Sequence, residues 1–351
     1  MRNRTILFCL RRDYLCHPGG DTMQMESYAR ILRQSGNHIR LHSGSVAPAD
    51  LEGNDMVFVW HLERPHDSFQ PWHTAIRNGL PVVLLPTCFH SNTVGFWRAL
   101  PEQLKIWYRC FREPSGSASH YMQFRSWRRC RERMLTQSSC LIVNSEAEKT
   151  LLLREGANTS RVVVIPNVVD LETLTVQEPA PWNKRQRIIC IGHFCPRKNQ
   201  LGLIRALRGL DLRITFVGTA RPMHRRYLER CRRESVGQHL FTGALSHHDT
   251  LKLLAQSRLA ISASFEETPG IANLEAAALG CNLLLPEIAP IQEYFGAHAL
   301  YLDPSRIDAA RIREAVHLPP SPELRAHILS HYTEKNLHRF FQTLEIEEMI
   351  H

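Results

Sequence analysis

The stretch EETPGIANLEAAALG, Glu266 to Gly280, decides how this chain is read. Leu259 to Ala263, just before it, is apolar and reads as a buried strand; the stretch itself reads as a turn into a helix. Thr268 is expected to cap that helix through its hydroxyl. Pro269 suits the first helical position, where its missing N–H would be unpaired anyway. The next amides, of Gly270, Ile271 and Ala272, would open an anion site at the helix mouth. Gly270 has no side chain to hold an anion away. Glu275 lies about 9 Å along the axis from Pro269, at 1.5 Å per residue. Its neighbours are Ala272, Leu274, Ala276, Ala277, Ala278 and Leu279, so an ionised carboxylate there needs a polar partner. A phosphate at the helix mouth and sugar hydroxyls on Glu275 would satisfy both groups. A capped core helix whose Glu275 pairs with an Arg would carry the same residues.

Outward from that stretch, strand and helix patterns alternate in both directions. After the strand Arg187 to Ile191 comes GHFCPRKNQ, which places Arg197 and Lys198 at a strand-to-helix junction beside a glycine. Charge-assisted hydrogen bonds to phosphate are worth about 1.5–3 kcal/mol, against about 0.3–1 for a helix terminus. These cations, more than the dipole, would hold a diphosphate. Ser246 to Asp249 reads as a capping box, like Ser145 to Glu148 in the first half. There, the strand Thr5 to Leu10 leads into a loop whose Gly19 and Gly20 precede a helix. His61 follows the strand Met56 to Trp60. His90 stands at the carboxyl end of the apolar strand Pro81 to Leu85, where ligands gather in open α/β sheets.

The 351 residues suggest about two domains. They are expected at 1–176 and 187–334, joined by the polar, proline-bearing linker VQEPAPWNKRQ, with a C-terminal helix from about 335 to 351. Residues are 43% hydrophobic and 22% charged, the composition of an ordinary globular protein. The net charge of +9 suits an anionic partner. Much of it is arginine, dense among aromatic residues from 97 to 133, a stretch that suits an anionic membrane surface or an anionic acceptor. The ten cysteines show no C-x-x-C spacing, which argues against a zinc site, and they read as reduced thiols. No signal peptide or membrane span is expected. The G-x-G-x-x-G and Walker A patterns are absent, against a dehydrogenase or P-loop NTPase, and no nucleic-acid recognition motif appears.

The joint pattern resembles glycosyltransferase family 4, retaining enzymes of the GT-B fold that use nucleotide-sugar donors. The resemblance rests on VIPNVVD at Val164, GHFCPRKN at Gly192, FVG at Phe216, FTGAL at Phe241, SFEETPGIANLEAAALG at Ser264, PIQEYFGAHALYLDP at Pro290 and PGGDT at Pro18. It implies an α/β fold of two Rossmann-like doubly wound domains facing across a cleft, with the last helix returning to the first domain. It implies that Glu275 holds the donor ribose, that Glu267 lies by the donor sugar, and that Lys198 binds phosphate. His90 matches the family's first-domain histidine near the reacting centre. Gly19 and Gly20 match its glycine loop, and Arg197 stands beside the phosphate lysine. The chain departs from the pattern at His193, where the family often has Arg, and at Thr268-Pro269-Gly270, where it often has Gly-Phe-Gly.

The implied activity is transfer of a sugar from a nucleotide-diphosphate donor to a glycan or lipid-linked acceptor, in surface polysaccharide or lipopolysaccharide synthesis. No cofactor or metal is expected. The expected location is cytoplasmic, at the inner face of the membrane. A nucleotide-sugar epimerase on the same fold and a non-catalytic nucleotide- or glycan-binding module are the rival readings.

Overall fold

A computed structural model describes residues 3–16, 19–62, 65–87, 127–175 and 177–343. The described chain forms two compact units, 1–166 with 337–351, and 167–336.

The first unit runs β1 (Thr5–Leu10), α1 (Gly20–Gln34), β2 (His38–Ser43), β3 (Met56–Trp60), α2 (Pro65–Arg77), β4 (Val82–Leu85), α3 (Trp127–Gln137), β5 (Cys140–Val143), α4 (Glu146–Arg154) and β6 (Val162–Val164). Its six strands pair in the order β2-β1-β3-β4-β5-β6, and each pairing is parallel. β3, β4 and β5 are buried along their whole length, which is why they read as continuous apolar runs. The core under one face of the sheet is built on Val57, Val59, Trp72, Leu84, Met134 and Leu141.

The second unit runs α5 (Leu171–Thr175), β7 (Arg187–Ile191), α6 (Gln200–Ala206), β8 (Ile214–Val217), α7 (Arg225–Ser235), β9 (Leu240–Gly243), α8 (His247–Ala255), β10 (Ser257–Ile261), α9 (Ile271–Ala278), β11 (Asn282–Pro286), α10 (Ala289–Phe295), β12 (Leu300–Leu302), α11 (Ala309–His317), α12 (Pro322–His331) and α13 (Glu334–Thr343). α13 starts in this unit and continues into residues assigned to the first. The strand order is β12-β11-β10-β7-β8-β9, again all parallel. The chain starts in the middle at β7, builds outward to β9, then returns to β10 on the other side. The order therefore reverses between β7 and β10, and a ligand crevice is expected at the carboxyl ends of that pair.

Two expectations need correction. The unit boundary falls after Pro166, and the stretch from 167 on belongs to the second unit. The Asn167 amide donates to the Tyr294 hydroxyl (2.8 Å), and the Ala180 amide to the Ala255 carbonyl (2.9 Å). The buried Arg185 guanidinium donates to the carbonyls of Ala180, Leu279 and Gly280. A stretch this well bonded is part of a unit, however polar it reads. The second correction concerns the strand before the defining motif: it spans Ser257–Ile261, two residues earlier than its apolar run suggested.

Among the described residues, no helix is long and apolar enough to cross a membrane. Residues 97–126 of the basic aromatic stretch, and His90, lie outside the described residues. Two arginines of the described part, Arg131 and Arg133, are engaged internally, while Arg129 is exposed. Arg131 is buried and donates to Glu155 (2.8 Å), while the Arg133 guanidinium lies 5.6 Å from the Trp72 ring.

Candidate active site

The carboxyl ends of β7 and β10 carry the charged residues of the motifs. After β7 the chain passes Gly192, in the left-handed region at φ 146°. It meets Gly218 so closely that a Cβ on Gly218 would lie 2.2 Å from the Gly192 carbonyl oxygen. A Cβ on Gly192 would sit 3.6 Å from Cε of Lys198. Only glycine fits the first of these positions. The turn Pro196–Lys198 then presents Arg197 and Lys198, and Asn199 closes it at φ 53°. Asn199 is anchored by a hydrogen bond from Nδ2 to the Pro304 carbonyl (2.7 Å).

The loop after β10 is stitched to that turn. The Phe265 amide donates to the Arg197 carbonyl (2.8 Å), and Nη1 of Arg197 donates to the Glu266 carbonyl (2.6 Å). Glu267 is buried between the cations. Nζ of Lys198 makes a direct ion pair with its Oε2, and Nη1 of Arg197 lies 4.0 Å from its Oε1. Ser264 adds a hydroxyl hydrogen bond to Oε2 (3.3 Å). A buried carboxylate is tolerated there because it has these partners. The cluster of Arg197, Lys198 and Glu267 keeps a net positive charge.

The helix that follows begins later than the sequence suggests. Gly270 is the N-cap, at φ 73°, and Ile271 is the first helical residue. Thr268 does not cap it, and Pro269 stays outside. The Pro269 carbonyl instead accepts Nδ2 of Asn273 (2.8 Å), which draws the turn tight and pushes the helix start to Ile271. The amides of Ile271 and Ala272 occupy the first turn, where no carbonyl four residues back can accept them. A Cβ on Gly270 would stand 3.7 Å from Cδ of Glu267, so the carboxylate sits against the helix mouth.

Glu275 is buried on α9, one turn in. Its partner is a histidine where an Arg was the alternative: Nε2 of His247 lies 2.6 Å from Oε1. His247 is the first residue of α8, whose N-cap Ser246 accepts the Asp249 amide. His247 is the site residue that the sequence reading passed over. Ser246 to Asp249 had been read only for its capping pattern, and no motif marked the histidine beside it. Among the described residues Oε2 of Glu275 has no protein hydrogen bond. His193 is half-buried beside Gly192, and its carbonyl accepts Nε2 of Gln200 (3.0 Å).

Gly19 and Gly20 belong to the first unit. Gly19 is the N-cap of α1, and a Cβ on it would stand 2.8 Å from Oδ1 of Asp21. The space around Gly20 is open for 4 Å. Here too the strand order reverses, between β1 and β3, and a polar cluster sits at their carboxyl ends. Asp21 accepts the Arg11 guanidinium and Nε2 of His61 (2.9 Å), while Nδ1 of His61 lies 2.8 Å from the Thr87 hydroxyl. Burial alone would raise the Asp21 carboxyl, but His61 and Arg11 outweigh it and hold it below the usual carboxylate range. His61 (φ 72°) and Thr87 (φ 45°) are both in the left-handed region. For Thr, a β-branched residue, that is a costly conformation of the kind that gathers at functional sites.

Residues 175–331 match the model of the family described as glycosyl transferases group 1. The matched stretch lies within the second unit. No curated protein matches the chain. Among solved structures, the chain is similar to sucrose-phosphate synthase from Thermosynechococcus elongatus, with TM-score 0.73 and 14% identity over 99% of both chains. It is also similar to HepE of Anabaena in complex with UDP-glucose, with TM-score 0.71 and 14% identity over 98% of this chain and 100% of that one. A third similar structure is the trehalose-6-phosphate protein of Escherichia coli bound with UDP-2-fluoro glucose, with TM-score 0.65 and 12% identity over 98% of each. At such identities the likeness is one of fold: the chain has the α/β architecture of the GT-B fold, with two parallel six-stranded sheets. The matched segment contains Arg197, Lys198, Glu267 and Glu275.

Proposed function

We propose that the protein is a retaining glycosyltransferase that moves a sugar from a nucleotide-diphosphate donor to a glycan or lipid-linked acceptor, in surface polysaccharide or lipopolysaccharide synthesis. The observation that carries the reading is the meeting of Lys198, Arg197 and Glu267 against the helix mouth at Gly270, at the strand-order reversal. Negative charge grows on the leaving diphosphate as the glycosidic bond breaks. Fixed cations and amides aimed at that charge lower the barrier most. Lys198, Arg197 and the amides of Ile271 and Ala272 take that role. Glu275 accepts the donor's pentose hydroxyls on the oxygen that His247 leaves free. Glu267 lies by the donor sugar and releases Lys198 to the phosphate. Gly19, Gly20 and His90 complete the reading from the first unit, and His193 stands beside the phosphate site. UDP-sugars are the first donors to try, because HepE and the trehalose-6-phosphate protein were solved with them.

Thermal shifts with UDP-, GDP- and ADP-sugars select the donor, since a ligand at 100 times its Kd adds about 2.7 kcal/mol. The anomeric configuration of the product, read by NMR, then tests retention. An inverted product contradicts the mechanism, and a donor that is epimerised without acceptor contradicts the reaction class. The reading assigns no metal to the diphosphate, so activity is expected to survive excess EDTA. Loss restored by added manganese would contradict that assignment.

A further inference from the structure

A second feature of the glycosyltransferase unit lies on α7, away from the motif residues. Along this helix six residues are exposed: Arg225, Arg226, Glu229, Arg230, Arg232 and Arg233. At 100° per residue they share one face, while Cys231 and Ser235 are buried on the other. Five of the six are arginine. The neighbouring Arg205 and Arg208 converge with Arg230 on the single carboxylate of Glu234, at 2.7, 3.0 and 2.9 Å. One acid among three guanidiniums leaves most of their donors unspent.

Exposed aliphatic residues lie before and after this helix in the chain. Met223 (43% exposed) precedes the helix, and Leu240 (43%) opens the edge strand β9. Val236 caps the helix and is 85% exposed. Its backbone is left-handed, at φ 47° and ψ 37°, a position glycine normally fills. Charge alone would keep the sheet edge soluble, but it gives no reason for an apolar, β-branched residue held at such a conformation in water.

We propose that the α7 face is a docking surface for an anionic lipid membrane, with the arginines on the headgroups and Val236, Met223 and Leu240 entering the acyl boundary. Exposed guanidiniums and aliphatic side chains match that interface. Single-stranded nucleic acid would call for exposed aromatic platforms, which this face lacks.

The test uses the full chain and sedimentation with vesicles of phosphatidylglycerol and phosphatidylcholine, against phosphatidylcholine alone. Wild type is expected to bind only the anionic vesicles, and less as salt rises. The variant R225E/R226E/R232E/R233E is expected to lose roughly tenfold or more, since each arginine near such a surface contributes on the order of fivefold. Val236→Gly relieves the backbone, so it should keep or raise Tm while weakening vesicle binding several-fold. Should the fourfold variant fail to fold, Val236→Gly decides alone. Equal binding to neutral vesicles, undiminished binding by either folded variant, or arginine-dependent binding of RNA without vesicle binding would overturn the proposal.

Discussion

Glu267 shows how one carboxylate can serve a site that must bind anions. It pairs with Lys198 and lies 4.0 Å from Arg197, and in the proposed reading an arriving phosphate competes with it for Lys198. Glu267→Gln removes that competition. UDP affinity is expected to stay equal or rise, while sugar transfer falls by about 100-fold or more, the scale of losing one electrostatic contact to the transition state. Equal losses in titration calorimetry and turnover would contradict the assignment. His239 gives a prediction about stability. It is buried, its Nε2 has no hydrogen-bond partner among the described residues, and burial lowers its pKa from 6.5. Below about pH 6.5 the unfolded chain takes up the proton first, so stability rises as the pH climbs towards that value. His239→Gln should flatten that rise in urea midpoints; an unchanged slope would refute it. At this scale Lys198, Glu267 and Glu275 were legible as charges set in strand-end motifs. His247 was not, because a histidine inside a capping pattern looks like any exposed helix residue until its carboxylate partner is placed.

At the scale of elements, the site rests on a strand-order reversal and one tight turn. β7 and β10 are neighbours because the chain starts its second sheet in the middle. The alternation of strand and helix patterns made the doubly wound class legible. It did not give the pairing order, which depends on contacts distant in sequence. The start of α9 was misread for a local reason. Thr268 and Pro269 carry the preferences of a cap and a first helical residue, yet Gly270 in the left-handed region and the Asn273 side chain on Pro269 override them. Gly270→Ala would place a Cβ 2.9 Å from Nδ2 of Asn273 at φ 73°. A stability loss of about 1–2 kcal/mol is expected in urea unfolding, together with weaker UDP binding. A variant as stable as wild type would show that the turn tolerates a side chain.

For the whole molecule, charge was the least legible property. The net charge of +9 named an anionic partner without locating it. The basic stretch at 97–133 drew the first attention; of its described arginines, Arg131 and Arg133 meet Glu155 and the Trp72 ring, and Arg129 is exposed. The arginines of α7 share one exposed face, where Arg230 pairs with Glu234 and Arg232 lies over the Phe241 ring. Sequence periodicity could not separate these cases, because a basic helix shows the same spacing whether its arginines meet acids or water. The central claim is that the second unit grips a nucleoside diphosphate with Lys198 and Glu275 together. Titration calorimetry of UDP into wild type, Lys198→Ala and Glu275→Gln tests it directly, with circular dichroism to confirm folding. The account predicts that each folded variant binds at least about tenfold more weakly, a loss of about 1.4 kcal/mol or more. Two folded variants that bind UDP as wild type does would contradict it.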